Sequence, residues 1–319
     1  MEYKQNNFNK RILFVGMPDT AFVTLHALHN KQVNIIAVVT PPKTHPASLI
    51  FCEYVKKLNL PIICPEKTIN EEGVVNKIKE LNIDLAVVTS YSQKFSEELL
   101  KTTKDGFINV HPSLLPEYRG ANPYTHVLLN GEEQTGVTIH KMDANFDTGN
   151  ILMQTPLPIM QNETMGTLFN KLNRMSADML IQFLAVYEKN ELPQGISQTE
   201  FPMPKNYASK IIPETQQVML DWSKSAVYLE RFIRSLNPFL PATTSYKGYS
   251  LKIFSADIEP MPKILKKDIG LVCRIGKTID VITGDGILKI KTLQMGSFFV
   301  GDAKDFISRV KIKVGDRLE

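Results

Sequence analysis

Asn109 and His111, two positions apart in the stretch "FINVHPSLLPEYRG", close an apolar run. Positions i and i+2 of a strand project from one face, so both side chains can reach one ligand while Val110 turns away. Asparagine offers an uncharged N–H to a developing oxyanion, and histidine, titrating near neutrality, moves protons or donates a second hydrogen bond. That pairing suits acyl transfer. A hydrogen-bonded structural histidine is the better reading of an isolated N-x-H, so the functional one needs a third group. The segment "MDANFDTGNIL" supplies one, with Asp143 and Asp147 in a polar stretch after the strand-like "TGVTIHKM". A carboxylate there can return over the same sheet edge, hold the histidine tautomer and receive the proton that an attacking amine loses. Asp147, beside Thr148 and Gly149, is the candidate, and Asp143 reads as a turn or cap residue. An amine attacking an acyl group directly requires no Ser or Cys nucleophile.

Between these residues lies a stiff stretch. Pro112 and Pro116 fix φ at about −65° and lower the entropy of the unfolded segment by about 0.4–1 kcal/mol each where the geometry fits. Leu114 and Leu115 are then either a pocket wall or ordinary core. Arg119-Gly120 reads as a turn whose arginine faces solvent or an anion. His26, His29, His45, His126 and His140 have no companion ligand at metal spacing; they read as surface or packing residues, and no metal is implied.

The elements that must hold these groups follow from periodicity. "RILFVGMPDTAFVTLHAL" reads as a buried strand, a tight turn at Gly16 and a helix from about Asp19. "VNIIAVVT", "PIIC" and "IDLAVVTS" are further strands, alternating with helices through "FCEYVKKL" and "EGVVNKIKEL". Strands apolar on both faces and alternating with helices imply a parallel sheet covered by helices, with ligands beyond the strand ends. The turn "GMPDTA" has one glycine where a dinucleotide fingerprint needs three, which argues against nicotinamide binding. From Glu191 to Pro213 the chain loses periodicity and becomes Pro-rich, as a linker does. After it, "DWSKSAVYLERFIRSL" is an amphipathic helix with Val227, Leu229, Phe232, Ile233 and Leu236 inward and Trp222 at a domain junction. Short strands with Gly turns in "SLKIFSADI", "GLVCRIG" and "TIDVITGDGILKIKTLQM" suggest a small β-barrel.

A chain of 319 residues is long enough for two cores. It has no apolar run near the ~20 residues of a membrane span. The opening "MEYKQNNFNK" is polar, and Cys52, Cys64 and Cys273 are scattered, which fits a reducing cytoplasm. Net charge is +4, but from Lys210 onward there are 18 Lys or Arg against 12 Asp or Glu. That excess suits either a polyanionic partner or a merely soluble surface.

"INVHPSLLPEYRGANP" followed by "TGVTIHKMDANFDTGNIL" resembles the formyltransferases that use 10-formyltetrahydrofolate. The tail segments "LDWSKSAVYLERFIRSLNPF", "GYSLKIFSA" and "VITGDGILKIKTLQ" resemble the C-terminal domain of the methionyl-tRNA branch of that family, so the likeness spans almost the whole chain. It implies an α/β fold: a Rossmann-like, mostly parallel sheet with helices on both faces over residues 1–189, a linker over 190–212 and an OB-like β-barrel over 213–319. It implies catalytic roles for Asn109, His111 and Asp147 and a folate site lined by Ser113, Leu114, Leu115 and Pro116. Tyr91 and Ser92 match a folate loop in which an aromatic residue is usually followed by Gly, and Ser tolerates φ > 0 less well. The co-substrate implied is 10-formyltetrahydrofolate, and the acceptor is initiator methionyl-tRNA, with neither DNA nor a membrane as partner. Two alternatives stand beside it: an amino sugar attached to a nucleotide as acceptor, or an inactive folate- or RNA-binding module. The loop "TPPKTHPASLIFCEY" is shorter than the basic loop of bacterial tRNA-formylating enzymes and carries the single Lys43, which favours the sugar acceptor, since phosphate contacts supply much of the affinity for RNA.

Overall fold

The computed structural model describes residues 8–212, 216–261 and 266–319, and its contacts form two units. One holds residues up to Pro123, Gln134–Pro158 and Asn170–Ala208; the other holds Tyr124–Glu133, Ile159–Phe169 and Ser209–Glu319. Residues 213–215, where the second domain is expected to begin, lie outside the described residues.

In chain order the elements up to Ala208 are β1 (Ile12–Gly16), α1 (Pro18–Asn30), β2 (Ile35–Val39), α2 (Ser48–Lys57), β3 (Ile62–Ile63), α3 (Glu72–Glu80), β4 (Leu85–Thr89) and α4 (Glu97–Leu100). They continue as β5 (Phe107–His111), β6 (Arg119–Gly120), α5 (Pro123–Asn130), β7 (Gln134–Lys141), β8 (Ile151–Pro158), α6 (Met165–Tyr187) and β9 (Tyr207–Ala208). The main sheet runs β3-β2-β1-β4-β5-β7-β8. Its first five strands pair in parallel, whereas β7 and β8 are antiparallel.

Ile12 to Val15 are fully buried because both sheet faces are covered. Leu13, Val15, Ala86 and Val88 share a core with Val74, Val75 and Ile78 of α3 and Leu99 of α4. On the other parity Phe14 lies beside Gly16, where α1 approaches so closely that an added Cβ would meet Ala21 Cβ at 2.6 Å. The expected tight turn at Gly16 therefore has a packing reason.

β5 carries Asn109 opposite Val88 of β4 and opposite His140 of β7, with Thr138 facing His111. Because β7 is antiparallel to β5, its hairpin loop starts beside the beginning of β5, where Met142 N donates to Phe107 O at 2.8 Å. To reach Asn109 and His111 the loop folds back along the sheet. His111 is the last residue of β5, so the cluster lies at the strand's C-terminal end.

The Pro-rich stretch expected as a linker is structured up to Ala208. Ile196 bridges Ile151, residues 198–200 form a short 3-10 turn, and β9 pairs in parallel with β6. Backbone bonds and one buried amide, Gln198, anchor it, and neither leaves a hydrophobic period.

In the other unit α7 (Ala226–Leu236) is capped by Ser225 Oγ, which accepts from Tyr228 N at 3.1 Å. Six strands follow, β10 (Ala242–Tyr246), β11 (Tyr249–Glu259), β12 (Val272–Ile275), β13 (Ile279–Ile282), β14 (Ile287–Met295) and β15 (Phe299–Asp302), and then α8 (Ala303–Val310). They form an antiparallel sheet in the order β10-β11-β14-β13-β12, with β15 on β14. The C-terminal residues close it: Leu271 bridges Arg317, and Ser245 and Glu319 exchange backbone hydrogen bonds. This is the barrel the short strands imply. Leu229, Phe232, Ile233 and Leu236 face its core as expected, but Val227 is 43% exposed. Trp222 is also placed differently, inside this core with its indole N–H donating to Thr244 Oγ1 at 2.9 Å. A buried indole needs a partner, and a barrel hydroxyl provides it.

Candidate active site

Asn109, His111 and Asp147 converge on one carboxylate oxygen. Asp147 Oδ1 lies 3.3 Å from Asn109 Nδ2 and 3.6 Å from His111 Nδ1, while Oδ2 accepts from Gly120 N at 3.0 Å. Asp147 has a left-handed backbone, φ 55°, a conformation Asp tolerates better than most residues. Asp143 forms a turn, its Oδ1 accepting from Asn145 N at 2.9 Å and Thr148 Oγ1 at 2.6 Å.

The histidine tautomer is set by a backbone group. His111 Nε2 lies 2.9 Å from Tyr118 O, and a carbonyl only accepts, so Nε2 carries the proton and Nδ1 is left toward Asp147. The sequence reading gave this task to the carboxylate. Burial pushes the His111 pKa below the ordinary imidazole value, against the pull of the Asp147 charge and the Tyr118 carbonyl. For Asp147 burial works toward a higher pKa, but His111, His140 and the Gly120 N–H outweigh it and hold the carboxyl well below the usual range. The resting pair at neutral pH is therefore a carboxylate beside a neutral imidazole.

His140, read from sequence as a surface or packing residue, belongs to this cluster. It is 2% exposed, and its Nε2 lies 3.2 Å from Asn109 Nδ2 and 3.5 Å from Asp147 Oδ1. Its Nδ1 faces Lys141 O at 2.7 Å, so Nδ1 carries a proton and, in the neutral ring, Nε2 accepts from Asn109. Register alone could have revealed it, since His140 is the direct cross-strand partner of Asn109.

The segment after His111 is pinned from β7 and β8. Thr138 Oγ1 donates to Ser113 O at 2.6 Å and accepts from Leu115 N at 3.1 Å; Gln154 Nε2 donates to Thr138 Oγ1 at 2.8 Å and Leu115 O at 2.9 Å. Ser113, Leu115 and Pro116 are buried, and Leu114 is half-buried over Gly136, where a Cβ would meet Leu114 Cδ2 at 2.5 Å. Tyr91 is half-buried, donates to Thr40 O at 3.2 Å and meets Phe95 edge-on, while Ser92 is exposed. Burial pushes the Tyr91 phenol pKa up, with smaller contributions from Cys64 and Glu71. The positive φ in this loop falls on Ser90, at 52°, rather than on Ser92, so the expected difficulty at Ser92 does not arise. Arg119 donates to Gln198 Oε1 from Nε at 3.1 Å and from Nη2 at 2.7 Å. Among the described residues no group of three or more His, Cys, Asp or Glu is placed to hold a metal ion, and no helix is long and apolar enough to cross a membrane.

This arrangement offers an amide donor, an imidazole nitrogen able to accept a proton and a fixed negative charge around one point, which is equipment for acyl transfer to an amine. Comparison with known proteins agrees. A formyl transferase family model matches residues 9–184, and a formyl transferase C-terminal domain model matches residues 212–311. A methionyl-tRNA formyltransferase of Caldicellulosiruptor saccharolyticus is 36% identical over 315 residues, covering 96% of this chain and 99% of that protein. Another, from Clostridioides difficile, is 33% identical over 292 residues, covering 89% and 92%. Among solved structures, an N-formyltransferase from Helicobacter canadensis in complex with folinic acid and dTDP-3-aminofucose has a TM-score of 0.65 at 19% identity, covering 90% of this chain and 100% of that one. At that identity the likeness concerns the fold.

Proposed function

The chain belongs to the formyl transferase family, and on that premise we propose that it moves the formyl group of 10-formyltetrahydrofolate to the amino group of initiator methionyl-tRNA. Such an activity serves translation initiation and operates in the cytoplasm. The amine attacks the formyl carbon, the bond from that carbon to N10 of the folate breaks, and the proton lost by the amine ends on N10.

The observation that carries this reading is the meeting of Asn109 Nδ2 and His111 Nδ1 at Asp147 Oδ1, at 3.3 and 3.6 Å. Asn109 exchanges its bond to Asp147 for one to the developing oxyanion. His111, its Nε2–H held by Tyr118 O, takes the amine proton at Nδ1 and returns it to N10. Asp147 orients the incoming amine and offsets the imidazolium charge. This division of labour differs from the sequence-based one, in which His111 is a second oxyanion donor and Asp147 relays the proton. A carboxyl held so far below its usual pKa is a poor base, and the His111 proton is already committed. The folate lies against Leu114, Tyr91 and Ser92, with buried Ser113, Leu115 and Pro116 supporting the wall.

Support for the tRNA acceptor comes from the near full-length likeness to methionyl-tRNA formyltransferases, the C-terminal domain match and the excess of Lys and Arg after Lys210. One observation favours an amino sugar attached to a nucleotide: the only Lys or Arg of the short loop after β2, Lys43, is paired with Glu66 at 2.5 Å. Purified protein with the formyl donor and either methionyl-tRNA or 4-amino-sugar nucleotides separates the two. The proposal expects formyl-methionyl-tRNA and a steep loss of tRNA affinity with salt; formylation of the sugars alone, indifferent to salt, would overturn it. No release of tetrahydrofolate with any amine would point to an inactive binding module.

A further inference from the structure

Gln198, at the start of the 3-10 turn in the Pro-rich stretch, is 5% exposed, and its side-chain amide is fully engaged. Nε2 donates to Asp147 O at 2.9 Å and to Gly149 O at 2.8 Å. Oε1 accepts from Nε and Nη2 of Arg119 at 3.1 and 2.7 Å. An amide has two N–H donors and two acceptor lone pairs, and here all four are used. The two segments it joins are those that grip the carboxylate: Asp147 itself, and Arg119-Gly120, whose Gly120 N–H donates to Asp147 Oδ2.

Two features show that these bonds hold more than shape. Asp147 keeps a backbone of φ 55°, uncommon outside glycine even though Asp tolerates it better than most residues, and the two bonds from Gln198 to the Asp147 and Gly149 carbonyls help to hold it. The choice of side chain is also informative. Opposite an arginine a glutamate would make the stronger pair, but it would set negative oxygens against two carbonyls and close to the Asp147 carboxylate. Only a neutral group with both donors and an acceptor satisfies both sides.

We infer that Gln198 is a positioning residue for formyl transfer, holding the Asp147 backbone so that Oδ1 points between Asn109 and His111. The inference rests on the function proposed above and adds a residue from outside the sheet to its machinery. Gln198 touches no reacting atom and acts through Asp147. Its loss therefore lowers turnover and leaves binding of donor and acceptor largely unaltered.

The test compares Gln198→Glu, isosteric and lacking both donors, with Glu200→Gln, a change at an exposed residue of the same turn. Gln198→Met, similar in length and without hydrogen-bonding N or O atoms, serves if the glutamate variant does not fold. Misplacement by a fraction of an ångström is expected to lower kcat by roughly 10- to 100-fold, with KM for both substrates within about threefold, and Glu200→Gln to behave as the parent. In an Asp147→Asn background, the same Gln198 change should alter the residual single-turnover rate by less than about threefold, since both act on one group. A kcat within about twofold of the parent in a folded Gln198 variant, or a full additional loss on top of Asp147→Asn, would overturn the inference. An inactive Asp147→Asn beside a fully active Gln198→Glu defeats this inference alone, whereas a fully active Asp147→Asn defeats the proposed mechanism and the inference together.

Discussion

Replacing Asp147 by Asn removes a charge and one of its two acceptor oxygens. Asn is isosteric, tolerates a left-handed backbone and retains an acceptor for the Gly120 N–H; the Asp147 and Gly149 carbonyls still receive Gln198. What is lost is the Oδ1 acceptor of Asn109 Nδ2 and, weighing more, the negative charge 3.6 Å from His111 Nδ1, the atom assigned to take the amine proton. At an effective dielectric near 20, unit charges at that separation interact by about 4–5 kcal/mol. At 1.36 kcal/mol per tenfold change, the step forming imidazolium should slow by about 10³-fold. Single-turnover transfer from a formyl-labelled donor to methionyl-tRNA, with enzyme in excess, reads this step without interference from product release. Thermal unfolding run alongside establishes that the variant is folded. A folded Asp147→Asn protein within about tenfold of the parent rate would refute the charge argument.

Three further outcomes follow from the same geometry. Asn109→Ala removes the proposed oxyanion donor and should lower kcat by ~10²–10³ with a modest change in donor KM, measured by steady-state formylation. His140→Leu removes the Nε2 acceptor that fixes the Asn109 amide; kcat should fall roughly tenfold while affinity for an unreactive folate, followed by fluorescence titration, is unaltered. The depressed His111 pKa means that the folded protein binds fewer protons than the unfolded chain below the free imidazole value of about 6.5, so stability declines as pH drops through that value toward the folded pKa. Urea unfolding between neutral and mildly acid pH should show this slope, and His111→Gln should flatten it; an equal slope in both proteins would contradict the assignment.

Much of this site is visible along the chain because strands repeat every two residues. That period places Asn109 and His111 on one face, and the continuous apolar runs before them signal a sheet covered on both sides. The partners that tune the site are hidden for separate physical reasons. His140 is 31 residues from Asn109 and becomes its neighbour only through the β5–β7 register, which a linear reading does not contain. Tyr118 contributes a backbone carbonyl, and every residue has one. Gln198 lies where proline and polar composition resemble a linker, because its anchoring uses hydrogen bonds instead of a hydrophobic stripe. Ser90 takes the left-handed conformation that a Gly-for-Ser comparison would assign to position 92, since loop handedness is set by tertiary contacts. Trp222, expected at a domain junction, lies inside the barrel instead, where the hydroxyl of Thr244 takes its indole N–H, a partner that no local pattern announces.

The central claim concerns where one carbonyl sits when the donor is bound. A crystal structure of the protein with a 10-formyl folate analogue and no acceptor measures this directly. The account predicts the formyl oxygen about 3 Å from Asn109 Nδ2, with the formyl carbon facing Asp147 Oδ1 and His111 Nδ1. A formyl group seated beyond hydrogen-bonding reach of all three side chains would contradict it.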